Sequence, residues 1–165
     1  MGDWLKIKSR VQLRKSAKNK LVKELVSLFG DGISGLADSN FEKLITDEYT
    51  LILVGGKPLI FEVEGQLFPT VRGALELELK QRLVVVDKGA VRFVSKGADI
   101  MSPGIVDADP EIKEGELVII AEETHGKALA IGRALMDGTT MAGSDSGKAV
   151  KSITYVGDKL WNMEV

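Results

Sequence analysis

The sequence predicts two small domains: an α+β domain over residues 1–81, followed by a mostly-β, barrel-like domain over residues 82–165. In the first, a basic strand and an amphipathic helix precede a run of strands that reads as a meander. In the second, short apolar runs alternate with turns, and ten of the 18 glycines lie there, which favours a tightly turned barrel. We place the boundary near Lys80–Arg82, where composition changes from helix-forming to strand-forming residues.

The first domain begins with a predicted strand and a predicted helix. Apolar and basic residues alternate over residues 4–13, as they do in a half-buried strand. A helix is expected to follow, with Ser16 as its N-cap and Gly30 as its end. Its apolar residues recur at helical spacing: Leu21, Val22, Leu25, Val26 and Phe29. The stretch 31–40 is turn-rich, with room for one short helical turn.

Residues 41–70 read as a meander, in which Gly55-Gly56-Lys57 joins two apolar strands as a hairpin turn. Pro69-Thr70 then opens a short helix that reaches Lys80. In the second domain, residues 82–87 form a buried strand and residues 115–136 form two strands around Gly126. Residues 149–165 are expected to form a final hairpin that turns at Gly157-Asp158.

Within "DKGAVRFVSKGADIMSPGI", residues 87–105, the stretch 94–105 is too broken for a core strand and too apolar for a linker. The overlapping stretch 89–96, "GAVRFVSK", is short. Its apolar spacing fits either a strand or a helix, but Asp87 as a cap and Gly97 at a positive φ favour a helix over 89–96. Lys88, Arg92 and Lys96 then recur every four residues and form a basic stripe. The alternative is an ordinary solvated helix face.

Composition excludes several functions. The chain has no cysteine and one histidine, which excludes disulfides and zinc–thiolate clusters and argues against a transition-metal site. No apolar run approaches the roughly 20 residues that cross a bilayer, and no secretion signal is present, so we expect a cytoplasmic protein. No phosphate-binding loop pattern occurs and no histidine can be linked to a serine nucleophile. We expect a non-enzyme without cofactors.

The net charge of −2 conceals an uneven distribution. Between Asp3 and Glu24 there are eight basic residues and no acid, among them Lys15, Lys18 and Lys20 on the predicted helix. Clustered positive charge attracts polyphosphate backbones, although a solvated helix face would look the same. The second domain is acidic, and seven of its acids lie between its central strands: Asp107, Asp109, Glu111, Glu114, Glu116, Glu122 and Glu123.

Several motifs resemble a known family. The run "VVDKGAVRFVSKGADIMSPGI", with "GELVII", "KALAIGRALM" and "LWNMEV" after it, resembles the PUA domain, an RNA-binding module named after pseudouridine synthases and archaeosine transglycosylases. In the first domain, "LFPTVRGAL" after "LILVGGKPLIFEVEG" is similar to the translation-machinery-associated proteins related to the malignant T-cell amplified sequence. The resemblance extends over nearly the whole chain and is to an archaeal-type relative.

The resemblance implies a pseudo-barrel of about six strands that binds RNA through its short helix, the irregular strand after it and the last strand, with Leu160, Trp161 and Met163. On this chain the implied RNA-binding residues are Lys88, Gly89, Arg92, Lys96, Gly97, Ala98, Met101, Pro103, Gly104 and Trp161, and the basic helix adds Lys15, Lys18 and Lys20.

The implied function is recognition of structured RNA, ribosomal RNA of the small subunit or tRNA, in initiation or ribosome recycling. Eukaryotic relatives work with the density-regulated protein, so a protein partner is possible here too. The alternative is a protein-interaction adaptor, or an accessory module of an RNA-modification complex, that uses the acidic face.

Overall fold

A computed structural model describes residues 4–165 of the chain, and these fall into two compact units. The first unit extends to Leu79 and also contains the last four residues, Asn162–Val165. The second unit is Lys80–Trp161. Each unit has its own β-sheet, so each is described separately.

The first unit is built on a five-stranded antiparallel sheet whose strands follow one another in chain order. The strands are β1 (Ile7–Gln12), β2 (Phe41–Thr46), β3 (Thr50–Val54), β4 (Lys57–Val63) and β5 (Gln66–Pro69). This arrangement confirms the predicted meander. Gly55 and Gly56 join β3 to β4 with φ angles of 59° and 84°, as a two-residue hairpin turn requires, and Lys57 of the predicted turn is already the first residue of β4.

Helix α1 (Lys15–Phe29) has the predicted apolar face, with Val22, Leu25 and Phe29 buried. It begins before the predicted cap: Arg14 occupies the N-cap position and makes no side-chain capping bond, so Ser16 lies inside the helix. Gly30 ends the helix with a φ of 83°, as predicted. A 3-10 helix, Asp31–Asp38, connects α1 to β2.

Strand β1 differs from its prediction in burial. Ile7 is 50% exposed and Val11 is 59% exposed, although the alternating pattern predicts a half-buried strand. The reason is position: β1 is one of the two end strands of the sheet, and α1 packs more extensively on β5, the other end strand, than on β1.

Helix α2 (Val71–Glu76) starts where the sequence predicts and ends four residues earlier than predicted. The Thr70 hydroxyl oxygen accepts a hydrogen bond from the Gly73 N–H at 3.0 Å and donates one to the Pro58 carbonyl at 2.7 Å. These two bonds cap the helix and attach it to β4. Glu78, two residues after the end of the helix, has a φ of 49°.

The second unit is a six-stranded sheet in the order β7-β11-β10-β9-β6-β8. Its strands are β6 (Leu83–Val86), β7 (Ile100–Met101), β8 (Ile105–Ala108), β9 (Leu117–Glu122), β10 (Ala128–Ala134) and β11 (Lys148–Tyr155). Neighbouring strands are antiparallel except β6 and β9, which run parallel. The sheet curls around buried aliphatic side chains such as Val84, Ile120 and Val150, so the predicted mostly-β, barrel-like class is confirmed.

Two predictions for the second unit are wrong. Helix α4 (Gly138–Gly143) forms between β10 and β11, where no helix is predicted. The final hairpin does not form: β11 ends at Tyr155 and turns follow it. Asp158 explains the difference, because its carboxylate accepts hydrogen bonds from the Thr154 hydroxyl and from the backbone N–H groups of Tyr155 and Trp161. These bonds fold the chain back locally instead of extending it as a strand.

Candidate nucleic-acid interface

The predicted helix over 89–96 is one α-helical turn, α3 (Val91–Val94), between two further turns. Asp87 caps the first of these turns, because its carboxylate accepts a hydrogen bond from the Ala90 N–H at 2.8 Å. Gly97 ends the segment with a φ of 88°. A Cβ at Gly97 would lie 2.7 Å from the Tyr155 ring, so the chain passes β11 too closely for a larger residue.

The basic residues around α3 face solvent. Lys88, Arg92 and Lys96 are exposed, while Val94 at the centre of the turn is 2% exposed. Phe93 lies among them and is 53% exposed, with the Arg92 guanidinium carbon 4.8 Å from the centre of its ring. Since α3 is a single turn, the three cations form a short cluster and not a stripe along a continuous helix.

After Gly97 the backbone alternates between outward and inward residues. Ala98 is exposed and Met101 is 48% exposed, whereas Ile100 and Ser102 are buried. A 3-10 turn, Ser102–Gly104, then leads into β8 and leaves Pro103 exposed. The two bends let a short segment anchor itself in the core while it presents apolar side chains to solvent.

The segment is fastened at both ends. The Gly104 carbonyl accepts a hydrogen bond from the Asp87 N–H at 2.8 Å, which joins the end of the segment to its beginning. A Cβ at Gly104 would lie 3.2 Å from the Ala90 Cβ, so the contact between the two ends is close. Gly89 is exposed and lies in the turn between Asp87 and α3.

Asp99 joins this segment to the last strand. Its carboxylate accepts a 2.9 Å hydrogen bond from the Ser152 N–H and forms a 3.0 Å ion pair with the Lys148 ammonium. The Ser152 N–H, followed by the Lys148 ammonium, lowers the pKa of Asp99 below its ordinary value. Lys148 lies opposite Met101 in the β7–β11 pairing, and Lys151 is close enough to act on Asp99 through its charge.

Sequence reasoning did not find Lys148, Lys151 or Phe93 as members of this surface. The two lysines join it only because β7 pairs with β11, a contact between residues about 50 positions apart. A local signal does exist for Phe93: an aromatic residue between two cations of a short amphipathic turn is a candidate for exposure. We define the α3–β7 surface as the exposed side chains of Lys88, Arg92, Phe93, Lys96, Ala98, Met101, Pro103, Lys148 and Lys151.

The pKa of Asp99 leads to a pH prediction. A carboxylate whose pKa is lower in the folded protein contributes stability above its unfolded pKa, near 4, and loses it as the pH falls through the folded value. We expect Asp99→Asn to lower the free energy of unfolding at pH 7 by about 1 kcal/mol, since Asp99 and Lys148 are both partly exposed. Below about pH 3 the difference from the wild type should shrink.

Urea unfolding of both proteins at pH 7, 5 and 3 measures the effect. Lys113→Gln is a suitable control, because Lys113 is an exposed lysine outside the α3–β7 surface. A difference between Asp99→Asn and wild type that stays constant with pH would show that the charge of Asp99 does not stabilise the fold.

The remaining predicted residues follow β11 or belong to the first unit. Trp161 is partly buried in the turns after β11, with Leu160 buried beside it, so neither Trp161 nor Met163 belongs to a last strand. In the first unit Lys15 and Lys20 are exposed. The Lys18 ammonium instead donates hydrogen bonds to the carbonyls of Ala37 and Ser39, at 2.8 and 3.2 Å, and so links α1 to the 3-10 helix.

Most of the acidic residues between the central strands of the second unit are hydrogen-bonded to the backbone. Four of the seven acids between its central strands, namely Asp107, Asp109, Glu116 and Glu122, accept hydrogen bonds from backbone N–H groups. Glu116 also forms a 3.2 Å ion pair with Arg82. These carboxylates hold turns in place, which weakens the reading of the acids as one docking face.

Two features are absent from residues 4–165. No helix in this part of the chain is long and apolar enough to span a membrane. The same residues contain no group of three or more acidic or histidine side chains arranged to hold a metal ion.

Comparison with known proteins places each unit. The PUA domain profile matches residues 82–156, and the pre-PUA-like domain profile matches residues 4–77. A protein of Methanocaldococcus jannaschii is 41% identical over 97% of this chain and 99% of its own length. Translation machinery-associated protein 20 of Eremothecium gossypii is 31% identical over 97% of this chain and 92% of its own length. The crystal structure of a protein from Pyrococcus horikoshii superimposes with a TM-score of 0.85 at 38% identity, covering 93% of this chain and 98% of that one.

These matches extend over both units and confirm the resemblance of the sequence motifs. The fold is therefore a pre-PUA-like domain followed by a PUA domain. The chain belongs to the family of two-domain PUA proteins that includes translation machinery-associated protein 20.

Proposed function

We propose that this protein binds structured RNA in the translation apparatus, through the α3–β7 surface of its PUA domain. The RNA is ribosomal RNA of the small subunit or tRNA, and the step is initiation or ribosome recycling. Two findings support the proposal: the PUA domain is an RNA-binding module, and a relative with nearly full coverage is named for the translation machinery. We place the protein in the cytoplasm with that machinery.

The observation that carries the proposal is the composition of the α3–β7 surface. Lys88, Arg92 and Lys96 extend from a segment whose backbone is fixed by Asp87, Asp99 and Gly104, so the three cations are presented on a rigid base. Exposed cations on a rigid base suit a phosphate backbone, because binding then orders few additional protein groups.

The apolar members of the surface extend its chemistry beyond phosphates. Phe93 and Met101 are each about half exposed beside the cations, where they can contact bases or sugars. The deep major groove of an RNA helix is closed to side chains, so we expect binding to loops, bulges or strand ends, where bases are splayed out. Lys15 and Lys20 on α1 add long-range electrostatic attraction.

The salt dependence of binding tests this proposal. Each phosphate contact contributes about −0.7 to −0.9 to the slope of log affinity against log salt concentration. With Lys88, Arg92 and Lys96 in contact, we expect a slope of about −2 to −3 for fragments of small-subunit ribosomal RNA or for initiator tRNA. Fluorescence anisotropy of labelled RNA between 50 and 300 mM salt measures it. Affinity no greater than that for an unstructured RNA of equal length would contradict recognition of structured RNA.

A second candidate function is a protein-interaction adaptor, on its own or as an accessory module of an RNA-modification complex. The exposed Phe93 and Met101 favour it, since aromatic residues and methionine are enriched in protein interfaces. An apolar protein interface responds weakly to salt, so the titration separates the two functions. Failure to bind RNA together with salt-insensitive binding of a protein partner would assign the surface to that partner.

We infer that the protein acts by binding and not by catalysis. The ionisable side chains of the α3–β7 surface are its cations, and the neighbouring Asp99 carboxylate is engaged by Ser152 and Lys148 and is held in its charged form. That set offers no nucleophile with a free general base beside it. Turnover of RNA or nucleotides by the purified protein would contradict this inference.

A further inference from the structure

The outer edge of the pre-PUA-like domain has the properties of a second binding site. Strand β1 is the end strand of its sheet, and among residues 4–165 no other strand pairs with its free edge. Leu13 donates its N–H to the Phe41 carbonyl at 2.8 Å, which fixes the alternation of hydrogen bonds along β1. By that alternation, Arg10 and Gln12 point their N–H and C=O groups away from β2, towards solvent.

The side chains of this edge are apolar to an unusual degree for an exposed strand. Val11 is 59% exposed and Ile7 is 50% exposed, and Ile45 of β2, opposite Ser9, is 36% exposed. Lys43 lies opposite Val11 in the sheet, and Ile52 lies opposite Lys43. Both Lys43 and Ile52 line a groove of about 560 Å³ beside α1. Leu13, the residue that follows β1, lines the same groove, so the groove begins beside the C-terminal end of β1.

The charge of the edge is strongly positive. Lys6, Lys8, Arg10 and Arg14 lie on or next to β1, and no acid occurs in the sequence between Asp3 and Glu24. Glu42 neutralises Arg10 with hydrogen bonds of 2.8 and 3.1 Å. Lys6, Lys8 and Arg14 remain as exposed cations along a backbone edge that can accept a further strand.

A basic edge strand can also serve only to prevent self-association, because two such edges repel each other. That repulsion excludes a second copy of this chain as the occupant. It does not account for Ile7 and Val11, since an edge protected by charge alone has no need of exposed aliphatic side chains. RNA fits less well than a polypeptide, because phosphates do not form the ladder of N–H and C=O bonds that a bare strand edge offers.

We propose that β1 binds an extended, acidic segment of a partner protein as an added β-strand. Its backbone bonds to the outward N–H and C=O groups of Arg10 and Gln12. Its apolar side chains pack on Val11 and Ile45, and its carboxylates face Lys6, Lys8 and Arg14. Strand addition of this kind takes affinity from the backbone and specificity from alternate side chains. The site is distinct from the α3–β7 surface and does not depend on RNA binding.

In the test, a short synthetic peptide in which glutamate and valine alternate is titrated into the full-length, 15N-labelled protein. NMR shifts of the backbone amides report where the peptide binds and how tightly. Gln12→Pro removes one outward N–H without disturbing a β1–β2 hydrogen bond, a substitution that edge strands tolerate. Gln12→Ala removes the same side chain and keeps the N–H, so it is the matched control. We expect peptide binding at β1 that Gln12→Pro weakens about three- to tenfold relative to Gln12→Ala.

A peptide with N-methyl groups along its pairing edge adds a test that requires no change in the protein. It should bind at least about threefold more weakly than the unmodified peptide. Equal binding to Gln12→Pro and Gln12→Ala, or the absence of amide shifts in β1, would overturn the proposal. So would displacement of the peptide from β1 by a single-stranded RNA of equal charge, since RNA would then be the better ligand. None of these results affects RNA binding at Lys88 or Lys96, so the two proposals can fail separately.

Discussion

Replacing Lys88 and Lys96 by glutamate is expected to lower the affinity for structured RNA about 30-fold or more at 0.1 M salt. Each lost phosphate contact lowers the magnitude of the salt slope by about 0.7 to 0.9. At 0.1 M salt the logarithm of the affinity falls by the same amount, so each lost contact weakens binding about five- to eightfold. The slope should therefore fall by about 1.5. Arg92 stays unchanged in this variant, because its guanidinium rests on Phe93 and a substitution there would also move the ring.

The matched control replaces Lys113 and Lys127 by glutamate. Both are exposed lysines of the same domain, one before β9 and one before β10, so the net charge changes equally at a different place. Anisotropy titrations of the two variants at several salt concentrations give the comparison. If the control loses as much affinity as the Lys88 and Lys96 variant, binding reflects net charge alone and the α3–β7 surface is not the site.

Gly73→Ala is expected to destabilise the pre-PUA-like domain by at least about 3 kcal/mol. A Cβ on Gly73 would lie far inside the van der Waals contact distance from the Leu59 carbonyl oxygen, a backbone atom of β4. That oxygen cannot move away freely, because it accepts a hydrogen bond from the Thr70 N–H at 2.9 Å. The clash therefore separates α2 from the sheet or breaks the cap that starts the helix.

Gly35→Ala provides the control for this experiment. Gly35 lies in the 3-10 helix after α1, its φ is not in the left-handed region, and a Cβ there would meet no atom within 4 Å. Urea unfolding should show no loss of stability for Gly35→Ala. Equal unfolding midpoints for the two variants would mean that α2 can move away from β4 at little cost.

The sequence determined the elements that depend on local physical chemistry. The apolar spacing of α1, the Gly55-Gly56 turn and the Thr70 helix start were each predictable, because a few adjacent residues control them. The Asp87 cap and the positive φ of Gly97 follow from the same reasoning. The resemblance of "LFPTVRGAL" has a physical basis as well, since it contains the capping Thr70 and the closely packed Gly73.

The tertiary structure decided what depends on distant residues. Ile7 and Val11 alternate like the residues of a half-buried strand, yet they are exposed because β1 is an edge strand, and sequence alone does not tell an edge from a centre. The last predicted hairpin failed because the Asp158 carboxylate bonds to its own neighbours and bends the chain there.

The candidate interface divides in the same way. Its cations on α3 could be predicted from one segment, whereas the contributions of Asp99, Lys148 and Lys151 required the pairing of β7 with β11. The two-domain class, the family and the residues of the short basic turn could be read from the amino-acid sequence. Which side chains share a surface and which strand edge stays open depends on the folded chain, because long-range pairing brings together residues whose spacing in the chain carries no signal.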